Sequence, residues 1–224
     1  MLSGPDLDRA MGRVESESAR LARLVDDMLI LARGADRSFR PERLDVVGVL
    51  DAVVTDLRAA HPGRQIERSD AAAPASFVSA DRDQLHQAIL NLGKNALEHS
   101  PAEVPVTVAV RHAGDSVAID VIDRGEGIAE EDATRVFDAF YRADASRYRA
   151  DEQSGAGLGL AITKMIADRH GASLHHTPTP GGGTTFTLTL TPAIRTAPGP
   201  QTTKARHSGG PRKSPTSRRS RSGA

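Results

Sequence analysis

Three short stretches carry residue types and spacings that can do chemistry. In L-N-L-G-K-N-A-L-E-H-S-P, Asn91 and Asn95 stand four apart, so on a helix they share a face one turn apart. Ile89, Leu92 and Ala96 are interleaved with them, which sets the amides at the border of a pocket. A neutral amide oxygen suits magnesium, which keeps several waters and takes most of its other ligands from substrate phosphates. In Asp123-Arg124-Gly125-Glu126-Gly127, directly after the apolar run Val117 to Ile122, the glycines let backbone approach a ligand and the aspartate can accept from an amino group. A plain turn is the alternative there. In Gly155-Ala156-Gly157-Leu158-Gly159-Leu160, which opens a helix running to His170, successive unobstructed N–H groups form an anion site suited to polyphosphate. The G-x-G-x-G spacing differs from the dinucleotide fingerprint, and no parallel β-α-β unit surrounds it.

Elements must hold these residues in place. Asp81 or Asp83 is a natural N-cap for the asparagine helix, whose Leu85, Ile89, Leu92 and Leu97 lie near helical spacing and which ends at His99-Ser100-Pro101. Upstream, Arg43 to Val46 reads as a short strand, Val47 to Ala60 as a helix, and Gln65 to Ser69 and Ser76 to Ser79 as strands. Downstream, Val104 to His112 and Ser116 to Ile122 meet at Gly114-Asp115, a hairpin signature. The pattern then predicts a helix from Glu130 to Tyr141, a loop to Gly157, a helix from Leu158 to His170, and strands Ser173 to His176 and Thr184 to Leu190 around Pro180-Gly181-Gly182-Gly183. About three helices against five or so strands, in a mixed and mostly antiparallel sheet, make a two-layer α/β sandwich.

A long helix precedes this unit. Leu7, Met11, Val14, Ser18, Leu21, Val25, Met28 and Ala32 recur in alternating steps of four and three, the rhythm of a heptad seam. The spacing predicts one helix from Asp6 to Arg33, stopped where Gly34 permits a left-handed end and Pro41 forbids resumption. Leu24, Leu29 and Leu31 widen its stripe, and so broad an apolar face calls for a partner in a bundle. Pairing with another molecule is favoured over a helix lying on its own domain.

The 224 residues are 38% hydrophobic and 26% charged, with no Cys or Trp and seven Phe and Tyr together, so the core is aliphatic and no disulfide framework is possible. A formal charge of zero conceals a split: residues 195–224 hold eight Lys/Arg and no Asp/Glu, leaving residues 1–194 with 21 basic and 29 acidic side chains. The basic tail has almost no apolar residues and is expected to be disordered, making at most weak contacts with anions. No specific nucleic-acid binding is expected. No apolar run reaches the ~18 residues that span a bilayer, so the chain as given reads as soluble and cytoplasmic, membrane-associated if a sensor region exists upstream.

Taken in order, N-L-x-x-N-A-L-x-H-S-P, D-R-G-E-G-I, V-F-D-A-F-Y-R, G-A-G-L-G-L-A-I-T-K-M-I-A-D-R-H-G and P-G-G-G-T-T-F-T-L resemble the ATP-binding catalytic domain of sensor histidine kinases. These belong to the gyrase/Hsp90/histidine kinase/mismatch-repair superfamily, and the resemblance runs from Asp6 to Leu190. It implies a Bergerat-type ATP-binding fold in residues 41–194, the second helix of a dimerisation and phosphoacceptor hairpin in residues 1–40, and the tail in 195–224.

By the same resemblance, Asn95 holds magnesium on the ATP phosphates with Asn91 as its companion, and Asp123 accepts from the adenine amino group while Gly125 and Gly127 admit the base. Phe137 and Phe140 match the apolar anchors of an ATP lid over Arg142 to Ser154, and Arg142 stands where a phosphate-facing arginine is common. Gly155, Gly157 and Gly159, with Leu158 among them, match the second glycine box, and His99 a residue lining the site. Hydrolysing members carry a water-activating glutamate about where Asn91 stands; an amide cannot act as a base. Transfer of the γ-phosphoryl group is therefore expected over efficient hydrolysis.

Two departures follow. The acceptor motif S-H-E-L-R-T-P, on the helix before the one that starts here, does not occur, and none of the eight histidines has that context. The acceptor is expected in trans, on another kinase subunit or acceptor-helix protein engaging residues 7–32, with a response regulator downstream. Glu98 stands where relatives carry a basic residue and is expected to face solvent; Lys94, beside Asn95, is given no role. The alternatives are a non-catalytic ATP-binding and dimerisation module that regulates a full-length kinase, and a serine-directed anti-sigma-type kinase.

Overall fold

The structure, a computed structural model, describes residues 4–32, 39–69, 76–143 and 156–193. The first element is the long helix α1 (Gly4–Ala32). A short strand β1 (Glu42–Asp45) leads into α2 (Val46–Ala60), whose start is capped by the Asp45 carboxylate accepting from Val47 N–H. Then come β2 (Ile66–Ser69), β3 (Phe77–Ala80) and α3 (Arg82–His99). The hairpin β4 (Val106–Ala113) and β5 (Ser116–Ile122) turns at Gly114, whose φ is +59°. The chain closes with α4 (Gly159–Arg169), β6 (Ser173–Pro178) and β7 (Thr184–Leu190).

Five strands form one sheet in the order β2-β4-β5-β7-β6, parallel only between β2 and β4. The strands β1 and β3 pair apart from it as a two-stranded antiparallel ribbon, with Glu42 opposite Ala80. Alternation along β5 and β7 sends Val117, Ile119, Val121, Phe186, Leu188 and Leu190 into one core with Leu50, Leu57, Leu85 and Ile89 of α2 and α3. The expected two-layer sandwich with three helices on a mixed sheet is thus present. A second cluster joins Ala88 of α3 to Leu158, Ile162 and Ile166 around α4, and Ile30 and Leu31 at the end of α1 pack against it.

α1 therefore has two faces. Its C-terminal Ile30 and Leu31 are tied to the sandwich, and burial pushes the Asp27 carboxyl up against the opposing pull of Lys94 on α3. The heptad seam remains outside: Leu7, Met11, Val14, Leu21 and Val25 are each more than half exposed. Among the described residues no helix is long and apolar enough to cross a membrane.

Of the two expected caps for α3, Asp81 is the one used. Its Oδ1 accepts from Gln84 N–H at 3.2 Å and its Oδ2 from Arg40 N–H at 3.1 Å. Its own N–H donates to Nε2 of His170 at 3.0 Å, and His170 Nδ1 bonds the Ile166 carbonyl at 2.8 Å. One residue thus fastens the start of α3, the incoming chain and the end of α4. Burial alone would raise the Asp81 carboxyl, but the Arg40 and Gln84 N–H groups and the nearby His170 outweigh it and hold it below the usual aspartate value.

The expected helix over Glu130 to Tyr141 does not form. Successive turns replace it, mostly with i−3 bonds such as Arg135 N–H to Asp132 O at 2.9 Å and Asp138 N–H to Arg135 O at 2.9 Å. Long-range partners take the groups that a helical ladder would use. The Ala133 carbonyl is bonded by His176 Nε2 at 3.0 Å and Phe137 packs on His176 and Phe186 with centroids 6.0 and 6.2 Å away, while within the segment the Tyr141 hydroxyl donates to the Asp132 carboxylate. For so short a segment such contacts outweigh helix propensity.

Replacing Asp81 with Ala should lower unfolding stability by about 1–2 kcal/mol, the usual loss for a helix cap. A carboxylate depressed on folding stabilises above its unfolded value of 3.8 and loses that contribution as pH falls through the lower folded value. Urea titrations of both proteins should therefore converge as the pH is taken progressively below 3.8; a constant gap would assign the loss to something other than the carboxylate.

Candidate functional site

The face of α3 carrying Asn91, Asn95 and His99 spans about 12 Å at 1.5 Å per residue. At its upstream end Asn91 Nδ2 donates to the Gly159 carbonyl at 3.3 Å, which sets α3 against the first residue of α4. At its downstream end the His99 carbonyl meets Gly125, where a Cβ would overlap the carbonyl oxygen. Between them lies Asn95, half-buried and without a hydrogen-bond partner among the described residues. An amide so placed keeps its oxygen for a ligand, and a hard cation sharing phosphate and water oxygens fits that donor.

Asp123 sits one residue past β5 and is 2% exposed. Its Oδ1 accepts from Gly125 N–H at 2.8 Å and from Thr184 N–H at 3.1 Å, while Oδ2 has no partner among the described residues. With Oδ1 satisfied, the acceptor capacity left on this nearly buried carboxylate lies at Oδ2, open to a donor from outside the fold. An exocyclic amino group is such a donor. The carboxylate is held by two elements at once, because Asp123 and Thr184 extend the β5–β7 ladder, with Asp123 N–H bonded to Thr184 O at 2.9 Å.

Glycines occur where backbones nearly touch. Gly183, at φ +98°, has no room for a Cβ against the Asp123 carbonyl, and Gly157, at φ +73°, would bring one to 2.8 Å from the Tyr141 carbonyl oxygen. Gly127 also has positive φ, +83°. Gly157 O accepts from Phe140 N–H at 2.9 Å, pinning the approach to α4 against the end of the turn segment. Leu158, the N-cap of α4, makes no side-chain hydrogen bond to the helix, so that residue leaves the opening N–H groups uncapped.

The expected site residues divide accordingly. Asn91 meets Gly159 and Gly125 meets the His99 end of α3, with Asn95 between them on the helix face; Asp123 is bonded to Gly125, Gly127 lies beside Gly183 and Gly157 beside Tyr141. Leu158 is fully buried in the second cluster and anchors the start of α4. Phe137 is packed inside, whereas Phe140 is 55% exposed with φ +65°, so only the first of the two phenylalanines anchors in the core. The His99 side chain is exposed and contributes its backbone carbonyl to the Gly125 contact, and Arg142 is half-buried. Glu98 is exposed, as expected, and so is Lys94. Gly155, most of the expected lid and the tail lie outside the described residues. The Thr184 amide and Gly183 escaped the sequence reading as site groups; the triple glycine before Thr184 was the available signal.

Comparisons with known proteins show what the chain is similar to. Residues 80–194 match the family model described as histidine kinase-, DNA gyrase B-, and HSP90-like ATPase. The chain belongs to that family. Within it, the sensor-like histidine kinase SenX3 of Mycolicibacterium smegmatis is 37% identical over 189 residues, covering 83% of this chain and 49% of SenX3. The chain thus spans about half the length of the curated relatives it matches. Of solved structures, full-length ShkA in complex with AMPPNP aligns with TM-score 0.70 at 26% identity, over 86% of this chain and 40% of that one. The mycobacterial sensor histidine kinase MprB aligns with TM-score 0.59 at 25% identity, over 68% of this chain and 98% of that one. In this ATPase family the domain binds ATP.

Gly183→Ala should cost about 1–3 kcal/mol through backbone strain and overlap. Gly48→Ala, in open space within α2, should stabilise by about 0.5–1 kcal/mol. Thermal unfolding of the pair checks the assignment, and a harmless Gly183→Ala would remove the close approach from the account.

Proposed function

We propose that this chain is the catalytic region of an ATP-dependent protein-histidine kinase of a two-component system, transferring the γ-phosphoryl group to a histidine on another molecule. One observation carries the reading. Among the described residues Asp123 Oδ2 and the Asn95 amide have no partner, and the Asp123 loop meets α3 at His99, one turn beyond Asn95, while the start of α4 meets it at Asn91, one turn before Asn95. A ligand with an amino-bearing ring at one end and an anionic chain at the other answers all three.

Asp123 would accept from the adenine amino group, and Gly125 and Gly127 would admit the base. Asn95 would hold a magnesium ion with the phosphates, which when bound neutralises phosphate charge. The N–H groups opening α4, with Gly155, Gly157 and Gly159, would face the phosphates, and Arg142 would add positive charge. Asn91 is engaged with Gly159 O and is no base, so water is not activated from this position. Phosphoryl transfer draws on positioning and charge neutralisation more than on covalent help. An acceptor imidazole nitrogen brought in line would form the N–P bond as ADP leaves. The exposed α1 seam supports presentation of that imidazole by a second kinase subunit or an acceptor-helix protein, and a response regulator would take the phosphoryl group onward.

Asp123→Asn should weaken ATP binding at least tenfold in calorimetry, about 1.4 kcal/mol or more, the cost of a mismatched buried polar contact. Asn95→Ala should reduce magnesium-dependent turnover far more than binding of metal-free nucleotide. Labelled γ-ATP with a separate acceptor-helix protein should give acid-labile phosphohistidine; nucleotide binding without any labelled acceptor would instead favour a non-catalytic module. Val25→Asp, on the exposed seam, should shift sedimentation toward the monomer, and an unchanged mass would take the seam out of self-association.

A further inference from the structure

We infer that Arg124 is a positioning residue that sets how sharply the site selects adenine. This rests on the reading of Asp123 as the acceptor of the adenine amino group. Arg124 is exposed, yet it is tied at both ends. Its N–H donates to Ser100 Oγ at 3.4 Å, at the end of α3, and its Nη1 donates to the Pro180 carbonyl, at the start of the turn between β6 and β7. A Cβ on Gly181 would lie 3.2 Å from Nη1, so the guanidinium lies directly against that turn.

The turn needs such a tie. Gly181, Gly182 and Gly183 have φ of +88°, +107° and +98°, and three successive glycines carry the largest conformational entropy a chain segment can have. Within the turn, Thr179 N–H bonds Gly183 O and Gly182 N–H bonds Thr179 O, each at 3.0 Å. Those bonds shape the turn without fastening it to the aspartate loop. At the Thr184 end the ladder bond from Asp123 N–H to Thr184 O does that, and at the Pro180 end, four residues earlier, the Arg124–Pro180 bond adds a second tie.

Thr184 N–H is the second donor on Asp123 Oδ1. Gly125 N–H comes from the same loop as Asp123 and moves with it; Thr184 N–H comes from across the sheet. Two donors from independent elements hold the carboxylate plane, and with it the direction of Oδ2. Thr184 O stays bonded to Asp123 N–H in the ladder, so releasing the turn loosens the Thr184 N–H rather than removing it, and the carboxylate gains freedom to rotate, which weakens the one contact that distinguishes a 6-amino purine from one without it.

The test uses the 224-residue chain with Arg124→Met, Arg124→Lys and Asp123→Asn variants, titrated calorimetrically with ATP and with purine riboside 5′-triphosphate, which lacks the 6-amino group. Arg124→Met should cut the preference for ATP by about three- to tenfold, the scale of one hydrogen bond, with most of the loss on ATP. Arg124→Lys, keeping one donor for Pro180 O, should recover most of it. Amide exchange at Thr184 should quicken in Arg124→Met while β5 keeps its protection. An unchanged preference, an equal loss for both nucleotides, or unchanged exchange at Thr184 overturns the inference. If Asp123→Asn itself leaves the preference intact, the adenine assignment of Asp123 fails first; if Asp123→Asn abolishes it and Arg124→Met does not, only the role of Arg124 is lost.

Discussion

A carboxylate almost wholly removed from water, with one oxygen satisfied and the other not, governs this molecule. Asp123 gives up hydration on entering the fold and recovers only two backbone N–H groups, both on Oδ1. Their geometry makes the arrangement tolerable, because N–H bonds to a charged acceptor are among the stronger hydrogen bonds available. Among the described residues Oδ2 keeps its acceptor capacity for a donor from outside the fold. The packing of Gly125 on the His99 carbonyl and of Gly183 on the Asp123 carbonyl serves this arrangement, since any larger residue would push apart the backbones whose N–H groups hold the aspartate.

α3 gives the site its length. One face of a regular helix places successive groups at fixed intervals, so the positions of Asn91, Asn95 and His99 set the spacing between the start of α4 and the Asp123 loop. The helix can serve as a rigid spacer because its other face is locked in the core by Leu85, Ile89 and Leu92, and because Asp81 binds its start to both the incoming chain and α4. α1 reaches the same frame through Ile30 and Leu31. Whatever engages its free seam is therefore mechanically connected to the start of α4, a few residues from the phosphate end of the proposed site.

Sequence reading and structure part in instructive places. The hairpin at Gly114, the helix with both asparagines and the seam of α1 were legible because each obeys a local rule: a turn residue, a 3.6-residue period, a heptad. The helix expected over Glu130 to Tyr141 was not there, since the His176 ring, on a strand more than 30 residues later, claims a carbonyl that the helix needed. Phe137 and Phe140 looked alike in the chain and ended in opposite environments. The parallel pairing of β2 with β4 and the separation of β1 and β3 into their own ribbon likewise depend on partners far away in sequence.

The amino-acid order alone therefore determined which residues are candidates for the chemistry and which family the chain resembles, because motif spacing, glycine placement and hydrophobic period act over a few residues. Only the tertiary structure decided how they are held: that Thr184 from β7 shares Asp123 with Gly125, that Arg124 fastens the glycine turn behind it, and that Asp81 rather than Asp83 caps α3. The first two join residues 61 and 56 apart, and Asp81 is also tied to His170, 89 residues away; no local preference specifies a partner across such distances, and packing of the whole core does.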